Sequence, residues 1–234
     1  MIDPTRENTV RPAPQQVSAL ILAAGLGLRM GMGPKAYLSF SGQTLLERAV
    51  DAVAPFAQEI IVGVPPGDEA RCRAMFPHLA QILAGGATRQ ETVSRLLRQA
   101  THPIVLLHEV ARPFVPAESF QAVLAAAEQT GAASLFVPLQ PRDSLALMDD
   151  DGALDAILPR ARAVTLQTPH AYRRDILLHA DEQALANGWK EDGTAAMVRH
   201  AGHRVQLVRG SEQNVKLTYA SDLASVQRPA TGSG

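Results

Sequence analysis

Short, mostly apolar runs alternate along this chain with longer stretches whose apolar positions recur at helical spacing. Val17–Leu22 reads as a buried strand. Thr44–Ala54 (TLLERAVDAVA) has the helical pattern, and Glu59–Val64 (EIIVGV) reads as a second strand closed by Pro65-Pro66-Gly67. Asp68–Phe76 predicts a helix, and Gln81–Leu83 a short strand running into Gly85-Gly86. Thr88–Ala100 predicts another helix, with Thr88 and Glu91 fitting a capping box. Ile104–His108 then reads as a strand, Ala117–Gln129 as a helix and Ser134–Val137 as a strand.

This alternation predicts an α/β fold: a mostly parallel, Rossmann-like three-layer sheet with helices on both faces. The rhythm breaks between Arg142 and Gln167. There, Asp149-Asp150-Asp151-Gly152 marks a turn and predicts a protruding β-arm. Tyr172–Ala186 and Gly193–Ala201 read as helices, Arg204–Val208 as a strand, and Ser221 as the cap of a last helix through Val226. The domain is expected over 17–227, with the arm at about 142–167. Residues 1–16 are expected to form a mobile tail and 228–234 a frayed end.

Composition narrows the classes. The chain has 234 residues, 46% of them hydrophobic, with a formal net charge of −1. No global basic field invites nucleic acid or an anionic membrane, so any cationic site must be local. No apolar run is long enough to span a bilayer, and the first sixteen residues lack the apolar core of a signal peptide. A single cysteine, Cys72, excludes an intramolecular disulfide and fits a reducing, cytoplasmic setting.

The stretch Leu22-Ala23-Ala24-Gly25-Leu26-Gly27-Leu28-Arg29-Met30, followed by Pro34-Lys35, carries the most chemistry. Small residues let a backbone approach a ligand and offer it N–H groups. Arg29 and Lys35 add two cations in the same loop. Such a loop can cradle a triphosphate and stabilise charge on its nonbridging oxygens. Two glycines after a strand also open dinucleotide-binding folds. There a third glycine or alanine would be needed where Met30 stands, and the two cations would have no role.

Further motifs follow in order: Gly85-Gly86 with Arg89 and Thr92, His108-Glu109-Val110-Ala111-Arg112-Pro113, Pro138 with Arg142-Asp143-Ser144, Gln167-Thr168-Pro169, and Asn214-Val215-Lys216-Leu217-Thr218. Together with the opening loop they resemble the 2-C-methyl-D-erythritol 4-phosphate cytidylyltransferase family, within the sugar nucleotidyltransferases. The resemblance runs from about Val17 to Val226.

It implies transfer of CMP from CTP to a sugar-alcohol phosphate with release of pyrophosphate, and a magnesium ion carried with CTP. It implies that Arg29 and Lys35 stabilise the transition state and that Lys216 holds the α-phosphate region. It makes Arg160 the arm arginine that reaches across a homodimer to the acceptor phosphate. Ala23, Ala24, Gly25, Gly27, Gly85, Gly86 and Thr92 fall at nucleotide-binding positions. Glu109, Arg112, Ser144 and Thr168 fall at acceptor-binding positions; the metal's ligands stay open, and a glutamate such as Glu109 could also bind magnesium through water. His108 and His170 are expected to be structural.

The chain departs from the family pattern at several places. Leu28 stands where a basic residue is usual, Glu109 where aspartate is, Ser144 where threonine is, and His170 where glutamine is. Pro159-Arg160 replaces an Asp-Arg, and Glu191-Asp192-Gly193-Thr194-Ala195 replaces a frequent Thr-Asp-Asp/Glu-Ala-Ser run. These positions lie mostly on the acceptor side or on metal-proximal acids. They leave open a different acceptor, such as ribitol 5-phosphate, and a nucleotide-binding homologue without turnover.

Overall fold

The computed structural model describes residues 16–27, 31, 33–79, 81–139 and 143–222. The strands are β1 (Val17–Leu22), β2 (Ser39–Phe40), β3 (Gln43–Thr44), β4 (Glu59–Val64), β5 (Gln81–Ala84), β6 (Ile104–Glu109), β7 (Ala132–Pro138), β8 (Leu145–Met148), β9 (Leu154–Leu158), β10 (Val164–Arg173) and β11 (Gln206–Arg209). The helices are α1 (Leu45–Val53), α2 (Glu69–Met75), α3 (Arg89–Leu97), α4 (Ala117–Thr130), α5 (Arg174–Asn187) and α6 (Thr194–His200).

Seven strands form one sheet in the order β11-β7-β10-β6-β1-β4-β5. β1 runs parallel to β4 and β6, β4 to β5, and β11 to β7. β10 runs antiparallel to both its neighbours, β6 and β7. The α/β architecture expected from the alternation is therefore present, with one strand reversed.

β1 explains the three layers. Successive side chains of a strand point to opposite faces. Val17, Ala19 and Ile21 pack with α1, α2 and α4 residues such as Leu46, Cys72 and Phe120. Leu20 and Leu22 pack with α3, α5 and α6 residues such as Leu96, Leu177 and Val198. Both sets are buried. Each buried leucine contributes roughly 1.5–3 kcal/mol, and a one-residue slip of β1 would exchange the two sets between differently shaped cores.

Helix ends follow local chemistry. Thr44 Oγ1 accepts from the Glu47 N–H at 3.1 Å, while the Glu47 carboxylate accepts from the Thr44 N–H at 2.6 Å. This complete capping box starts α1. The box expected at α3 is one-sided. Thr88 Oγ1 accepts from the Glu91 N–H at 3.0 Å, but the Glu91 carboxylate turns to the Ala87 N–H at 2.9 Å. Glu91 thereby braces the glycine turn instead of the cap.

Three expectations need correction. Tyr172 and Arg173 are strand residues, not the start of a helix; α5 begins at Arg174. Val164–Gln167 likewise belongs to the main sheet, so the arm is shorter than the expected Arg142–Gln167 span. Its hairpin is β8–β9, turned where Asp149 Oδ1 accepts from the Asp151 and Ala153 N–H groups. The reason is Pro169, which reads as a strand breaker. It is accommodated at an irregularity between Gln167 and His170, with a cis Thr168–Pro169 bond. The expected cap at Ser221 is also replaced: the Asp222 carboxylate accepts from the Thr218 and Tyr219 N–H groups at 2.7 and 2.8 Å. Residues 223–226 of that expected helix lie outside the described residues.

Candidate active site

The parallel strands β5, β4, β1 and β6 end on one edge of the sheet, where ligands of such folds bind. A cavity of about 780 Å³ opens there. Its walls are the glycine loop after β1, the Gly85–Thr88 turn after β5, the start of α3, the end of β6, and Lys35 and Lys216.

The loop after β1 is held by its own backbone. The Lys35 N–H donates to Gly25 O at 3.3 Å and the Gly31 N–H to Gly27 O at 3.2 Å. Gly27 has φ +67°, and a Cβ there would run into the Gly33 carbonyl. Only glycine fits that turn. On the other wall, a Cβ on Gly85 would collide with Ala24, and one on Gly86 with Glu91. At Gly27, Gly85 and Gly86, neighbouring protein atoms therefore leave no room for a side chain. The Gly86 N–H donates to Thr92 Oγ1 at 3.0 Å.

The charges cluster around one carboxylate. Glu109, the last residue of β6, is buried; its Oε1 lies 2.8 Å from Arg89 Nε and its Oε2 2.7 Å from Lys216 Nζ. Burial alone would raise its carboxyl, but the Arg89 and Lys216 cations outweigh that and hold it down at about 2. Lys35 donates from Nζ to Leu217 O at 2.8 Å, next door to Lys216.

A short segment places both lysines. The Leu217 N–H donates to Ala111 O at 2.8 Å, and Arg112 Nη1 to Asn214 O at 2.7 Å. The buried Asn214 amide donates to Thr168 O at 2.9 Å and Gln167 Oε1 at 3.2 Å. The end of β6, the irregularity in β10 and the segment 214–217 are therefore sewn together, and Lys216 is delivered to Glu109.

The expected site residues distribute as follows. Ala24, Gly25, Gly27, Gly85, Gly86, Thr92, Glu109, Lys35 and Lys216 line the cavity. Ala23 lies beneath it, fully buried, with its N–H on Gly63 O at 2.8 Å. Arg29 lies outside the described residues. Arg112 does not line the cavity; its guanidinium is tied to Asn214 O and, at 3.4 Å, to Leu166 O. Thr168 is buried, and its hydroxyl has no hydrogen-bond partner among the described residues. Ser144 and Arg160 are exposed on the arm, Arg160 in the short turn Arg160–Arg162.

His108 and His170 are buried, as expected of structural histidines, and burial pushes them down to about 4 and about 3. His170 Nδ1 is 2.8 Å from Ser134 Oγ. Arg89 was part of a motif but carried no assigned role in the sequence. Its signal was its place at the first position of α3, directly after the cap Thr88, at the mouth of the glycine turn.

Fold and site together define an α/β protein built to hold an anionic ligand between a glycine loop and fixed cations. The family model "IspD: 2-C-methyl-D-erythritol 4-phosphate cytidylyltransferase" matches residues 17–229, and the chain belongs to that family. It is 38% identical over 209 residues to the 2-C-methyl-D-erythritol 4-phosphate cytidylyltransferase of Deinococcus radiodurans, covering 89% of this chain and 87% of that one. Against the Thermus thermophilus enzyme of the same name it is 40% identical over 210 residues, covering 89% and 94%. A crystal structure of the enzyme from Thermus thermophilus superposes with a TM-score of 0.76 at 36% identity, covering 91% of this chain and 98% of that one.

Proposed function

We propose that this protein transfers CMP from CTP to 2-C-methyl-D-erythritol 4-phosphate and releases pyrophosphate, a step that supplies isoprenoid precursors. The observation that carries the reading is the Arg89–Glu109–Lys216 cluster opposite a glycine loop in one cavity, in a chain of this family. A phosphate oxygen of the acceptor attacks the α-phosphorus in line. The new P–O bond forms as the bond from the α-phosphorus to the bridging oxygen breaks, and that oxygen leaves on pyrophosphate. The attacking group is already anionic, so no protein nucleophile is required. Catalysis is positioning and charge stabilisation.

In this reading Lys35 and Arg29 stabilise charge growing on the α-phosphate, and Lys216 lies between that phosphate and the acceptor. Magnesium arrives with the triphosphate as part of the substrate. Both oxygens of Glu109, the carboxylate that lines the cavity, are engaged by cations, which favours an ion carried by the nucleotide. Arg112, Ser144 and Thr168 serve the acceptor.

Arg160 acts from a second copy of the chain. In the arm, opposite residues of an antiparallel pair share a face, so Ala146 and Ile157 lie together beside Met148 and Leu154. Ile157, Met148 and Leu154 are at least 60% exposed. An apolar hairpin face of this kind supports a homodimer that covers it. The lone, buried Cys72 supports a cytoplasmic setting. Pyrophosphate release from CTP, magnesium and the methylerythritol phosphate tests the reading.

A further inference from the structure

We infer that Thr194 is a positioning residue for this site: its hydroxyl fixes the Arg89 guanidinium so that Glu109 is shared between Arg89 and Lys216. Arg89 Nη1 donates to Thr194 Oγ1 at 2.9 Å while Nε pairs with Glu109 Oε1 at 2.8 Å. A guanidinium is a planar fork on a long, flexible stem. A single bond to Glu109 leaves it free to turn about that bond, whereas a second anchor on another nitrogen fixes the plane. Thr194 supplies that anchor from the first position of α6 and is itself buried. Met197 and Val198, one turn on, pack into the core formed with α3 and α5, so the hydroxyl is delivered by a rigid element. Thr194 does not line the main cavity and therefore acts through Arg89.

The consequence concerns Lys216 and rests on the proposed function. With Arg89 fixed, Glu109 presents one oxygen to each cation. Without the Thr194 anchor, Arg89 swings toward solvent and Glu109 turns both oxygens to Lys216. An ammonium clasped by a buried carboxylate is then held back from the α-phosphate. Thr194 thus sets how available Lys216 is, without touching substrate. It stands in the segment Glu191-Asp192-Gly193-Thr194-Ala195, where the chain departs from the family's usual run, so the anchor is a neutral hydroxyl.

The test compares Thr194→Val, which keeps the shape, with Thr194→Ser, which keeps the hydroxyl. Pyrophosphate-release kinetics of Thr194→Val should show kcat down about tenfold, the factor that about 1.4 kcal/mol makes. The KM for CTP should change little and the melting temperature should not move. Thr194→Ser should restore kcat. In an Arg89→Ala background, Thr194→Val should cost nothing further. Unchanged kcat in Thr194→Val, a serine variant as slow as the valine one, or a full additional loss in the Arg89→Ala background would each overturn the inference. Should wild-type protein release no pyrophosphate, the proposed function fails separately. Calorimetric binding of inorganic pyrophosphate then decides for Thr194: weaker binding in the valine but not the serine variant supports the role, and equal binding overturns it.

Discussion

Lys216 Nζ lies 2.7 Å from Glu109 Oε2, so the cation from the late segment and the carboxylate that ends β6 form one unit. Arg89 completes it from the far side, at 2.8 Å from the other oxygen. A site that must receive a triphosphate thus keeps two of its cations around a single internal anion. The anion lowers their mutual repulsion in the unliganded protein and orients both toward the same cavity.

Glu109→Gln removes that anion and leaves Arg89 and Lys216 facing each other. The unliganded variant should lose about 1 kcal/mol of stability or less, because the two cations left without their partner are 32% and 42% exposed and water screens them. Inorganic pyrophosphate should raise its melting temperature more than it raises that of the wild type, because the added anion replaces the lost charge. Calorimetric melting with and without pyrophosphate checks this; equal shifts in both proteins would refute it.

Lys35→Ala tests the glycine loop. Its Nζ reaches Leu217 O, so it sits where the loop meets the Lys216 segment. Loss of a cation that acts on developing charge should lower kcat by about two orders of magnitude and affect the KM for CTP less. Steady-state pyrophosphate release separates the two constants. Full activity would contradict a role for Lys35 in the transfer.

Acid should destabilise the fold through two histidines. Burial holds His108 at about 4 and His170 at about 3. Both lie below the ordinary value near 6.5, so the unfolded chain takes up more protons as pH falls. Stability is therefore complete above about pH 6.5 and should decline toward pH 4 at up to about 2.7 kcal/mol per pH unit for the two groups together. His170→Gln should roughly halve the slope of stability against pH between 6 and 5. A flat profile in the wild type over that range would contradict the assignment of both rings as buried and neutral.

Most of the sheet was legible because its parallel strands are continuous apolar runs bounded by turn residues. β1 and β4 appear with the bounds their sequences predict. β10 was not legible. Its ten residues include Gln167, Thr168, Pro169 and His170, polar or strand-breaking types; Asn214 meets the Gln167 amide and the Thr168 carbonyl, and Ser134 meets the His170 ring, across sequence gaps of 36 to 47 residues. Periodicity carries no record of such partners.

The candidate site divides the same way. The glycine loop, Gly85-Gly86 and Lys216 announce themselves by composition and order. The Arg89–Glu109 pair joins α3 to β6 across twenty residues, and Arg89–Thr194 spans more than a hundred. Those links depend on how the helices pack against the sheet, which local pattern does not specify.

The arm supplies a quaternary prediction. Placing a charge on its apolar face with Ile157→Asp should convert the proposed dimer to a monomer and, through loss of Arg160 from the second copy, lower activity. Light scattering and sedimentation at matched concentrations measure it. A wild-type protein that is monomeric at working concentration would contradict the proposed arrangement.

The proposed transfer stands or falls on pyrophosphate release from purified protein with CTP, magnesium and 2-C-methyl-D-erythritol 4-phosphate. Release should require all three, with the cytidylylated acceptor as the other product. Release with ribitol 5-phosphate but not with the methylerythritol phosphate, or measurable CTP binding with no release for either acceptor, would contradict it.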